Sequence, residues 1–158
     1  MRILLSAILP VLLLSSCYSY RIFPAAYRNY AYTGIKKKAY VINPELSKEL
    51  KILEKGRVFE LTPDSLDKSA LQIRLNPLKH NLACGQPVLV SLVTLGQLPV
   101  LLPDRYQYSF DEINGRDTIQ RKYELKIANR YWFWDMFAFN KKFQQKAGQT
   151  LLAEYYNN

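Results

Sequence analysis

The chain has one histidine and two cysteines in 158 residues. A single histidine excludes a multi-histidine metal site. Two cysteines exclude a Cys-rich zinc module or a disulfide scaffold. Glycine is scarce, at six, and no Gly-rich phosphate loop of the usual spacing occurs among them. Acid is in the minority: 13 Asp+Glu stand against 22 Lys+Arg, a formal charge of +9. No apolar run reaches the roughly 20 residues that a spanning helix needs. What is present is globular, with 49% hydrophobic and 22% charged residues in a length that suits one domain.

The most specific feature is the start. Met1-Arg2 is a short positive opening, and Ile3 to Leu14 is apolar apart from Ser6 and Pro10. Leu14-Ser15-Ser16-Cys17 follows. A basic start, an apolar stretch of about a dozen residues and small residues at the cleavage point make a secretory signal. The last four residues resemble the lipobox of bacterial lipoproteins. That resemblance implies a signal peptide over 1–16, cut before Cys17. It also implies a diacylglycerol on the Cys17 thiol and an acyl chain, such as palmitate, on the new amino terminus. Several acyl chains at one residue anchor a protein stably. Cys84 would then have no partner for an internal disulfide. The same resemblance implies a bacterial cell envelope address. Tyr18, where an Asp would favour inner-membrane retention, leans toward the outer membrane.

Residues 17–40 are expected to be a lipidated tether rich in tyrosine and bases. It holds Tyr18, Tyr20, Tyr27, Tyr30, Tyr32, Tyr40, Arg21, Arg28 and Lys36-Lys37-Lys38. Such a segment suits a lipid surface, where tyrosine rings and cations both gain. It also suits a solvated linker, or a first strand from Ala39 to Ile42. The single domain is expected over 41–158.

Asn43-Pro44-Glu45 carries a helix-start signal, with a capping side chain, a proline and an acid in the first turn. Leu46, Leu50 and Leu53 then form one stripe, and Gly56 is a natural stop, which predicts a helix over 44–55. Arg57–Leu61 reads as a short strand and Thr62-Pro63-Asp64-Ser65 as a turn. Leu71, Ile73 and Leu75 alternate with Gln72 and Arg74, a half-buried strand. Residues 81–103 carry no formal charge. Their apolar centre, Val88 to Leu102, suits a buried strand piece, a loop dipping into the membrane, or a docking surface for an envelope protein. Ser91 to Pro99 is similar to an apolar Leu-Gly-x-x-Pro patch of several families of small bacterial envelope lipoproteins.

Tyr106 to Ile113, Asn114-Gly115 and Asp117 to Ala128 form the clearest signal, a hairpin over 106–128. A turn at Asn114-Gly115 sets Phe110 opposite Ile119, Tyr108 opposite Arg121 and Glu112 opposite Asp117. Finally, Trp132, Met136, Phe139, Phe143, Ala147 and Leu151 recur at spacings of three and four. This stripe predicts an amphipathic C-terminal helix, either closing over the sheet or lying in the headgroup layer.

Catalytic patterns are weak. His80 and Cys84 would share a helix face, but Pro77, Gly85 and Pro87 oppose a helix there. The expectation is a structural cysteine and an incidental histidine. Asp111, Glu112 and Asp117 are expected as a solvated cluster at the hairpin tip. The basic balance fits anionic headgroups or an acidic partner better than nucleic acid, given the envelope address.

The sequence therefore predicts a small α+β domain. Its antiparallel sheet, built on the 106–128 hairpin and the 57–75 strands, packs against a short helix and the C-terminal helix. The expected function is that of a lipid-anchored, non-enzymatic structural or accessory component. It would bind the membrane surface or an envelope partner protein, the latter as part of an envelope complex, with no metal or cofactor and no nucleic acid. A module for a small apolar ligand is the alternative, and a hydrolase comes after it. The expected site residues are Cys17 for lipidation. Leu92, Leu95, Leu98, Trp132, Trp134 and Phe137 are expected for membrane or partner contact.

Overall fold

The computed structural model describes residues 18–63, 70–81, 100–115, 117–131 and 142–157. In chain order the elements are β1 (Tyr18–Ile22), a 3-10 turn (Ala25–Asn29), β2 (Lys38–Val41) and α1 (Ser47–Gly56). There follow β3 (Glu60–Leu61), β4 (Leu71–Leu75), β5 (Lys79–Asn81), β6 (Val100–Asn114), β7 (Asp117–Tyr131) and α2 (Phe143–Asn157). The domain is α+β, as the sequence predicts.

The spine is the β6–β7 hairpin, 15 residues on each side. The strand order is β1-β7-β6-β4-β2-β3. β5 pairs with residues 105–107 of β6, beyond the stretch that β4 occupies. Tyr108, Phe110, Leu125 and Ile127 project to one face and are fully buried there. Alternation with Gln120, Lys122 and Glu124, which are exposed, makes the long strands amphipathic. β4 behaves as its pattern predicts, with Ile73 and Leu75 buried and Gln72 and Arg74 exposed.

The hairpin register differs from the expected one. Asn114 pairs with Asp117, so Asn114 belongs to the ladder and not to the turn. Phe110 stands opposite Arg121, Tyr108 opposite Tyr123 and Glu112 opposite Ile119. Gly115 takes φ 61, a left-handed conformation that only glycine adopts without a Cβ penalty. Moving the turn by one residue changes every partner by two positions. Two is even, so each side chain keeps its face and only its neighbour changes.

The sheet is mixed where an antiparallel one was expected, because β2 runs parallel to both β3 and β4. After β2 the chain crosses over through α1 before β3 begins, and a crossover of that kind joins parallel strands. Residues 18–40, expected as a tether, hold β1, the 3-10 turn and the start of β2. β1 lies antiparallel along β7, from Tyr18 opposite Tyr131 to Ile22 opposite Ile127.

α1 starts three residues later than predicted. Asn43 does not cap it. Its side-chain amide donates to the Leu75 carbonyl and its oxygen accepts from the Leu75 N–H, both at 2.8 Å. Asn43 thus completes the end of β4 instead. Gly56 is the last helical residue, and Arg57 takes the left-handed cap at φ 51. Gly56 serves contact with α2: a Cβ there would lie 2.9 Å from the Gly148 carbonyl oxygen. Ile52 and Leu53 of α1 pack with Ala147, Leu151 and Leu152 of α2 over Ile73, Leu75, Tyr108, Phe110, Leu125 and Ile127. Both helices cover the same face of the sheet. Glu49 ties α1 down at two points: its carboxylate accepts from Leu78 N at 2.9 Å, and its carbonyl accepts from the Tyr108 hydroxyl at 3.0 Å. The predicted C-terminal stripe holds for Phe143, Ala147 and Leu151, while residues 132–141 lie outside the described ones.

Candidate functional site

The site residues expected from the sequence, Cys17, Leu92, Leu95, Leu98, Trp132, Trp134 and Phe137, all lie outside the described residues. Their chain neighbours are informative. Cys17 immediately precedes Tyr18, Trp132 immediately follows Tyr131, and Leu98 stands two residues before Val100. The register sets Tyr18 opposite Tyr131, and Tyr131 opposite Val100. Three chain positions distant in sequence therefore share one row across β1, β7 and β6. That row is the end of the sheet away from the Gly115 turn.

A basic cleft of about 420 Å³ opens beside this end, along β1. Arg21 comes from β1, Arg28 from the 3-10 turn, Arg130 from β7 and Lys146 from the first turn of α2. Arg130 stands opposite Ser19, which also lines the cleft. The Arg28 side chain is oriented by its Nε, which donates to the Ile22 carbonyl at 3.2 Å. No Asp or Glu is among the lining residues. Four cations without a lining carboxylate suit an anionic headgroup, and each Lys or Arg near an anionic surface contributes about 1 kcal/mol. Arg21 and Arg28 are visible in the sequence as part of the basic segment. Arg130 and Lys146 join them only through the β1–β7 pairing and the packing of α2, which no local pattern reveals.

Next to the same end lies a buried carboxylate. Asp104 is 8% exposed. His80 Nε2 is 3.4 Å from its Oδ1, and the Asn129 amide donates to its Oδ2. The His80 ring stacks on Tyr106 with centroids 4.3 Å apart. The histidine expected to be incidental thus has a carboxylate partner 24 residues on, while Cys84 lies outside the described residues.

At the opposite end, the acidic cluster expected at the hairpin tip is dispersed. Glu112 turns inward and is 5% exposed. Its Oε2 lies 3.5 Å from Arg121 Nε, and its Oε1 accepts from the Tyr155 hydroxyl at 3.3 Å. Asp111 points to the other face and accepts from the Asn76 amide at 3.4 Å. The separation follows from strand alternation and from the register, which brings Ile119 and not Asp117 opposite Glu112.

These inward tyrosines have a consequence for pH. Burial pushes the Tyr123 hydroxyl up to about 12, with Glu112 and Glu154 adding to the rise and Arg121 opposing it. Burial raises Tyr108 and Tyr155 as well, aided by Glu49 and Glu112 respectively. The fold holds all three protonated. Their contribution is complete below the ordinary tyrosine value of 10.0 and is lost as pH rises toward the folded value. The urea midpoint is expected to hold up to about pH 10 and to fall by pH 11 to 12. Tyr123→Phe should flatten that fall. An unchanged midpoint at pH 11 would contradict the assignment.

No protein-family model matches the chain, and no curated protein matches it. Among solved structures it is similar to a minor lipoprotein from Acinetobacter baumannii, with 18% sequence identity and a TM-score of 0.31. The overlap covers 77% of this chain and 85% of that one.

Proposed function

We propose that this chain is a lipid-anchored protein of the bacterial cell envelope, in the outer membrane, held by an acylated Cys17. Its role is non-enzymatic. It is a structural or accessory component that sits against the membrane surface and presents its folded domain to an envelope partner protein. The observation that carries the reading is that β1 begins at Tyr18, one residue after the lipobox cysteine, and pairs at once with β7. One residue spans at most about 3.6 Å. A lipid on Cys17 would therefore set the domain directly on the bilayer, with the Tyr18–Tyr131–Val100 row lowest and Arg21, Arg28, Arg130 and Lys146 at headgroup height. Positioning of this kind needs an anchor and cations, and no reacting group.

The test is acylation and fractionation in a bacterial host. Wild-type chain should incorporate an alkyne-tagged fatty acid and sediment with the membranes. Cys17→Ser should lose all of the label and most of the sedimentation. Arg21→Gln with Arg28→Gln should keep the label and weaken retention in high-salt washes. A Cys17→Ser chain that is still acylated and still membrane-bound would overturn the reading.

A further inference from the structure

A second groove, about 700 Å³, lies between the segment that follows the 3-10 turn and the two helices. Five cations line it: Lys36, Lys51, Lys55, Arg57 and Lys142. No carboxylate lines it, and none of the five is bridged to one within 4.0 Å among the described residues. Glu54 of α1 lines a different groove, beside Tyr40 and Leu61.

The cations come together from three separate elements. Gly56 and Gly148 let α1 and α2 touch at backbone distance, which draws Lys51, Lys55 and Arg57 alongside Lys142. Lys36 arrives from the loop after the 3-10 turn. That loop is pinned twice. Tyr32 stacks on Tyr156 with centroids 3.5 Å apart, and the Gln149 amide donates to the Tyr30 carbonyl at 2.5 Å. The floor is therefore built, and the five cations line it.

Such a convergence is unfavourable by itself, because like charges repel in the folded state and separate in the unfolded one. Lys55 and Arg57 are partly compensated by the carbonyl end of α1. Lys36 and Lys142 belong to other segments, and Lys51 lies a turn further back. Arg57 also adopts φ 51, a conformation that favours glycine. Backbone held in that region against preference recurs at functional sites.

We propose that this groove is a saturable site for a ligand carrying two or more phosphate groups. The ligand is either a lipid headgroup cluster or a soluble phosphate ester. The size admits such a group, and five cations from three directions can surround one. Because the groove contains no part of the anchor, the inference stands whether or not Cys17 is acylated.

The test uses the full chain in neutral detergent micelles, with inorganic pyrophosphate titrated by calorimetry at low salt. One-to-one binding is expected, weakened at least tenfold in Lys51→Gln with Lys55→Gln. These residues are exposed on α1, and glutamine keeps its helix propensity. The control, Lys48→Gln with Lys122→Gln, removes the same charge outside the groove and should change affinity less than twofold. The titration is then repeated with phosphatidylglycerol added to the micelles. Lost pyrophosphate binding would assign the groove to lipid headgroups, and retained binding would assign it to a soluble ester. Absence of saturable binding in neutral micelles, or equal losses in both double variants, overturns the proposal. The Cys17→Ser chain should bind with wild-type affinity.

Discussion

Gly148→Ala should lower stability by about 2 kcal/mol, a sign opposite to the usual effect of that change in a helix. Alanine is the better helix former by about 1 kcal/mol, and at an exposed helical position the replacement stabilises. Here the added Cβ would lie 2.4 Å from Gly56 N, 2.7 Å from the Ile52 carbonyl oxygen and 2.8 Å from Lys55 C. All three are backbone atoms of α1 and cannot rotate away. The helices must move apart, and Ile52, Leu53 and Leu151 move with them out of a packed core. Overpacking of that kind costs about 1–3 kcal/mol or more, which exceeds the propensity gain. Urea denaturation of the full chain followed by circular dichroism would measure it. Gly56→Ala meets only the Gly148 carbonyl so closely, at 2.9 Å, and should lose less. A Gly148→Ala chain as stable as wild type would mean that the helix contact has slack, and that the groove between α1 and α2 is not rigid.

How far the sequence discloses this fold depends on whether a signal is local. β4 and the hairpin are legible because alternation is a property of neighbouring residues, and burial on one face follows from it. The inward stripe of α2 is legible for the same reason. The start of α1 misleads because Asn43 has two possible uses. Locally it is a helix cap, yet the backbone of Leu75, 32 residues on, takes both ends of its amide. β1 is hidden for a related reason. Tyr18 to Ile22 is short and carries Arg21, so it resembles a polar tether until the full length of β7 is there to pair with it. Gly56 reads as a helix stop, while its use is close approach to another helix. The basic cleft along β1 was half visible, in Arg21 and Arg28. Its other half, Arg130 and Lys146, comes from more than 100 residues away. Charge convergence of that kind is a product of topology.

The hairpin register offers a sharper separation between what pattern and pairing each determine. Phe110→Ala should destabilise the chain by about 4 kcal/mol, while Ile119→Ala should stay within about 0.5 kcal/mol. The register expected from a turn at Asn114-Gly115 makes these two residues direct partners on the core face, which predicts comparable losses. In the structure they part company. Phe110 is fully buried, edge-on to Phe59 with centroids 5.8 Å apart and near Tyr108 and Tyr123 at 6.1 and 5.8 Å. Its removal leaves a cavity among three rings that cannot collapse without shifting β6. Ile119 sits opposite Glu112, near the turn, and is 51% exposed. Its truncation gives up little burial and opens no void. The same face can hold both outcomes because the hairpin extends past the helices, so an inward-pointing residue near the turn has less to pack against. Equal losses for the two variants would restore the earlier register and move the turn back to Asn114-Gly115. A large loss for Phe110→Ala alone would place the end of the core between residues 110 and 112 of β6, where Glu112, Arg121 and Tyr155 close it with polar contacts.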